Sequence, residues 1–127
     1  MATIAAVETK VEVDPQLLTG IEEKGFTIVH CDYCNGRYAW ATIHATTYLL
    51  DPLTSEKVQL LHALNIPVAP QKHYFDRQNE QLNFTLIFPK LPPNWDVFNL
   101  VEVAGALSFH VPGIPKNNAG VYRVKIR

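Results

Sequence analysis

His30-Cys31-Asp32-Tyr33-Cys34 holds the most chemically suggestive spacing in the chain. A Cys-x-x-Cys pair can wrap a zinc ion or act as a dithiol couple, because two intervening residues in a turn let both sulfurs face one point. His44 would add a third ligand if the chain doubles back after Cys34. Structural zinc takes four ligands, and the sequence has neither a second Cys-x-x-Cys nor a His-x-x-x-His. The residues that follow, Asn35-Gly36, pull the backbone another way. They supply the positive φ angles of a two-residue type I′ hairpin. Residues 25–33 then pair with residues 38–44, so that Tyr33 opposes Tyr38, Cys31 opposes Trp40 and Ile28 opposes Ile43. In an extended strand, residues three apart sit about 10 Å apart at Cα, beyond the roughly 7 Å a disulfide can span, and point to opposite faces. Hairpin and thiol site compete for one backbone, and the turn residues favour the hairpin. The expectation is therefore no cofactor. A small metal-binding or thiol-active protein, with zinc at Cys31, Cys34 and His44, is the alternative.

The other reactive residue types form no constellation. His62, His73 and His110 lack ligand spacing, and the carboxylates Asp51, Glu56, Asp76, Glu80, Asp96 and Glu102 show no pairing for acid–base work. Ser55 and Ser108 lie outside any Gly-x-Ser-x-Gly elbow, and there is no glycine-rich phosphate loop. This argues against an enzyme. Tyr33, Tyr38 and Trp40 are the candidate ligand-binding residues. On one face of the hairpin they would form an aromatic platform for a carbohydrate, peptide or protein partner, since aromatics offer large contact areas at low entropic cost. The competing placement puts Trp40 in the core.

These residues must be positioned by a fold of modest size. The 127 residues fit one domain, taken as 1–127, and 47% apolar against 18% charged composition excludes a disordered or fibrous chain. A net charge of -1 argues against nucleic-acid binding, which leans on clustered Lys and Arg. Apolar runs are only a few residues long, so no segment is expected to span a membrane. The N-terminal residues lack the basic and apolar regions of a signal peptide, as a mature exported domain also would, and the compartment stays open.

The dominant hydrophobic period is two, which signals strands. Leu82, Phe84, Leu86 and Phe88 alternate with Asn83, Thr85 and Ile87 before Pro89, and this stripe is expected in the core. Tyr122, Val124 and Ile126 alternate with Arg123, Lys125 and Arg127. Leu107, Phe109 and Val111 form a third such series, ending at Pro112, and residues 116–120 between these two series read as a turn or loop. Further strands are expected over residues 7–13, 46–50, 57–64 and 97–103, and a single helical turn over 15–24. Such short, proline-bounded strands need two packed sheets to bury their apolar faces. The expected fold is an all-β, antiparallel sandwich of about seven to nine strands.

The order of these strands carries a resemblance. A Thr47-Tyr48-Leu49 strand, residues 82–92 with their Phe-Thr-Leu-x-Phe-x-x-Leu-Pro pattern, and Phe98-Asn99-Leu100-Val101-Glu102 follow one another as in the immunoglobulin-like β-sandwich segments of exported Bacteroidota proteins. Here Asn99 stands where those segments often have Asp, and Val103 replaces their usual glycine. The shared motifs are packing motifs. The resemblance implies an accessory, non-catalytic module that acts by binding, and it supplies no catalytic residue and no ligand.

Overall fold

The structure is a computed structural model that describes residues 3–4, 25–35, 40–103 and 109–126. The expected strand over 7–13, the helical turn over 15–24, Gly36 and Arg37 of the expected turn, and Leu107 lie outside these residues. Every regular element among the described residues is a strand. None forms a helix long and apolar enough to cross a membrane.

The chain builds two main sheets. One has β1 (Thr3–Ile4), β11 (Val121–Ile126), β2 (Thr27–Cys34), β8 (Gln81–Phe88) and β6 (His62–Leu64), in that spatial order. The other runs β10 (His110–Pro115), β9 (Val97–Val101), β4 (Tyr48–Leu50) and β5 (Lys57–Gln59). A two-stranded ribbon of β3 (Trp40–Ala41) and β7 (His73–Tyr74) completes the strands. Pairing is antiparallel except for β2 with β11, which run parallel from Val121↔Ile28 to Ile126↔Tyr33.

Alternation places the core between the sheets. Leu82, Phe84, Leu86 and Phe88 are all buried, as the period-two pattern requires. Val29, Cys31 and Tyr33 join them from β2, and Tyr122, Val124 and Ile126 from β11. The facing sheet contributes Leu49, Phe98, Leu100, Val111 and Ile114 to the same cluster. Phe98 and Tyr122 meet across the interface edge to face, with ring centroids 4.9 Å apart. This is an all-β sandwich.

Three expectations need correction. First, β2 does not form a hairpin with residues 38–44. Its two edges are taken by β8 and β11, so Cys31 stands opposite Phe84 and Val124, and Ile28 opposite Ile87 and Val121. Trp40 pairs instead with Tyr74, and Ile43 forms a lone parallel bridge to Val68. Second, residues 57–64 make two strands in different sheets. The switch occurs at Leu60 and Leu61, whose N–H groups donate to Thr47 O of one sheet (3.0 Å) and Ile87 O of the other (2.8 Å). Third, β10 runs through Pro112. It is an edge strand, where a missing N–H breaks no ladder, and a register shift between Val111 and Ile114 absorbs the proline. The Gly113 N–H within that bulge donates to Asn99 Oδ1 at 2.9 Å.

On the outer face of the five-stranded sheet, His30 is buried and hydrogen-bonded through Nδ1 to Thr85 Oγ1 at 2.9 Å. Burial, helped by the Arg123 guanidinium opposite on β11, pushes the His30 pKa below its ordinary value. Asp32 is the next residue of β2 on that face. Because the folded pKa is depressed, the unfolded chain binds the proton more tightly. Stability is unaffected by this group well above pH 6.5, about the unfolded value, and is lost as pH falls from there through the lower folded value. The urea midpoint should therefore drop between pH 7.5 and 5.5, and His30→Gln should flatten that drop. Equal slopes for both proteins would assign the pH dependence to other groups.

Candidate functional site

At the end of the sandwich where β2 and β11 begin and β8 ends, three segments leave a cleft of about 650 Å³ between them. They are the entry to β2 at residues 25–27, the β8–β9 connection at 90–93, and the β10–β11 loop at 116–120 with Tyr122 behind it. Each segment has a local cause. Pro89, Pro92 and Pro93 cannot continue a ladder, so the chain leaves the sheet after Phe88 in a stiff arc. Gly25 and Gly120 hold φ of +80° and +73°, a region that L side chains resist.

Side-chain amide bonds close the β10–β11 loop. Asn117 Oδ1 accepts the Gly120 N–H at 2.8 Å, and Asn117 Nδ2 donates to Val121 O at 3.0 Å. The Asn117 N–H donates to the Tyr122 hydroxyl oxygen at 3.1 Å. Ile28 N–H then donates to Gly120 O at 2.8 Å, tying this loop to the first residues of β2. The Lys116 ammonium donates to Pro92 O at 3.0 Å and links the second wall to the third. The cleft is therefore braced on its own hydrogen bonds.

Phe26, Leu91 and Ala119 give the cleft apolar wall, and Lys90 and Lys116 are its charged residues among those described. Burial pushes the Tyr122 pKa up, so the phenol stays protonated at neutral pH, and the bond received from Asn117 only partly opposes this. That hydroxyl accepts from Asn117 and keeps its own proton to donate.

The residues singled out from the sequence fall elsewhere. Tyr33 is 3% exposed and packs in the core, its ring tilted against Phe75 and its hydroxyl donating to Asn35 O. The three-residue platform is thus corrected, since Tyr33 faces inward. Tyr38 lies outside the described residues. Trp40 is half-buried on the β3–β7 ribbon, opposite a Tyr74 that is 66% exposed, with the Lys72 ammonium 4.4 Å from its ring centre. An aromatic surface does exist at Trp40, but with a partner the sequence did not single out.

Cys31 and Cys34 are free thiols on opposite faces of β2. Cys31 is fully buried in the core, which drives its pKa well up and keeps it a thiol. Cys34 borders a water-sized recess of about 30 Å³ beside Asp32, Gln81 and Lys125. His44 is tied through its backbone N–H to the buried Glu102 carboxylate at 2.9 Å. No three His, Cys, Asp or Glu side chains among the described residues converge as a metal site, so the Cys31, Cys34 and His44 trio is not brought together.

Sequence reasoning missed Lys90, Lys116 and Tyr122 as site residues. The loop signals were visible in Pro89 to Pro93 and in residues 116–120, but nothing local shows that the two loops face each other. Fold and cleft together define an all-β sandwich with a loop-built cavity at one end. Comparison with protein-family models, with curated proteins and with solved structures gave no match.

Proposed function

We propose that the protein is a non-catalytic binding module, an immunoglobulin-like sandwich that acts without a cofactor and takes its ligand in the end cleft. The observation that supports this best is the braced cleft itself. Its volume falls within the roughly 300–1,000 Å³ usual for ligand pockets, and its walls are apolar with a few fixed polar groups. Its described lining has no histidine, cysteine, serine or carboxylate side chain to act as nucleophile or base, which supports binding over catalysis. An accessory role of this kind also suits the resemblance to exported Bacteroidota sandwich segments.

Protein, peptide and carbohydrate partners are a second reading, and the observation behind it is the Trp40–Tyr74 surface. Amide NMR of the whole chain against small organic fragments, including acids, amides, sugars and short peptides, separates the two. Expected perturbations cluster on residues 25–27, 90–93 and 116–122. Shifts confined to residues 40–41 and 72–75 would move the site to the aromatic ribbon. Shifts at neither place would overturn the binding reading.

A further inference from the structure

We propose that the cleft selects a small organic acid, with the carboxylate held by Lys90 and Lys116 and the apolar body lying against Phe26, Leu91 and Ala119. This rests on the cleft being the binding site and names the chemistry of its ligand. Charge favours an anion. The chain as a whole is nearly balanced, with 11 basic and 12 acidic residues, yet the described residues of the cleft contribute two lysines and no carboxylate. An anion placed between two cationic side chains is attracted by both.

Two of the donor groups, those of Lys116 and Tyr122, are also held in place. An ammonium has three of them, and Lys116 commits one to Pro92 O, which fixes the group while leaving two for a ligand. The Lys90 stem runs close to Gly25, where a Cβ would lie 3.4 Å from Lys90 Cδ. Its aliphatic part therefore packs on the loop while the ammonium reaches solvent. The Tyr122 hydroxyl proton adds a third donor group. A site whose donors are already held loses less entropy on binding than one that must order them.

Neutral ligands find less here. Sugars need side chains that both donate and accept; the Asn117 amide is spent on closing its own loop through Gly120 and Val121 and Thr27 is 2% exposed, which leaves the Asn118 amide. Apolar walls beside cationic donors suit an amphiphilic anion better, because they lower the local dielectric around the ion pair.

The test compares 3-phenylpropionate with its neutral isostere 3-phenylpropionamide by amide NMR titration of the full chain. The acid should perturb residues 25–27, 90–93 and 116–122 and bind at least about tenfold more tightly than the amide, as a charge-assisted contact implies. Lys90→Gln should bring the acid's affinity down towards the amide's. Raising the salt from 0.05 to about 0.5 M should weaken the acid alone. Lys116→Arg keeps the charge and should keep the preference, which guards against a loop merely loosened by substitution. Equal binding of acid and amide in the cleft would overturn the anion selectivity while leaving the cleft as a binding site. Shifts from neither probe at 10 mM would overturn both.

Discussion

Phe84→Ala is expected to cost about 3–5 kcal/mol, seen as a large fall in the urea midpoint with the slope unchanged. Phe84 is fully buried in the middle of β8, which pairs with β2 along its whole length and with β6 from Thr85 to Ile87, starting one residue beyond Phe84. Its backbone partner is Cys31, itself completely buried. Removing the ring opens a cavity that the β2–β8 ladder and the packed facing sheet cannot easily collapse. The loss is a large share of the 5–15 kcal/mol by which domains of this kind are stable. Phe75→Ala offers the comparison. Phe75 is only half-buried and sits at the rim of the same cluster, so its truncation should cost clearly less. Equal costs at the two sites would mean that the β8 stripe is not the centre of the core.

That stripe was legible because alternation in one segment is enough to assign its two faces. The same logic held for Tyr122, Val124 and Ile126, all buried on β11. It also held the answer for Tyr33, which shares parity with Val29 and Cys31 and so had to share their burial. The turn signal pointed the other way. Asn35-Gly36 is a local preference, whereas β2 gains eight registered positions from β8 and six from β11. Two long ladders outweigh one two-residue turn, but periodicity names faces and never partners. The split of residues 57–64 has the same origin. The adjacent leucines Leu60 and Leu61 interrupt the alternation, and only the pairing with Thr47 on one side and Ile87 on the other shows that the chain changes sheets there.

The cleft was illegible for a further reason. Its lysines sit in loops, where a solvated charge is the ordinary outcome. They become a pair only because residues 90–93 and 116–120 are brought to the same end of the sandwich, and the bond from Lys116 to Pro92 O records that meeting. The sequence carries the local rigidity of each loop in its prolines and asparagines. The juxtaposition belongs to the sheet order.

Gly120→Val joins the stability of the fold to the shape of this cleft, and it is expected to cost about 2 kcal/mol or more. The left-handed backbone at Gly120 costs an L residue roughly 1–2 kcal/mol, and a β-branched one resists it further. There is a second penalty. A Cβ at Gly120 would stand 3.3 Å from the Phe26 carbonyl oxygen, and that oxygen belongs to backbone held by the bond from Ile28 N–H to Gly120 O. Gly113 separates the two effects. Its φ is +69° and a Cβ there would meet nothing within 4 Å, so Gly113→Ala reports strain without contact. Gly120→Ala should exceed it, and Gly120→Asn should be the mildest change at 120, because Asn tolerates the left-handed region. Amide shifts should change over residues 25–27 and 116–122 and stay fixed on the β3–β7 ribbon, and the cleft's affinity for 3-phenylpropionate should fall with them. A Gly120→Val protein as stable as the parent would show that the β10–β11 loop is not held in this conformation, and the bracing assigned to the cleft would go with it.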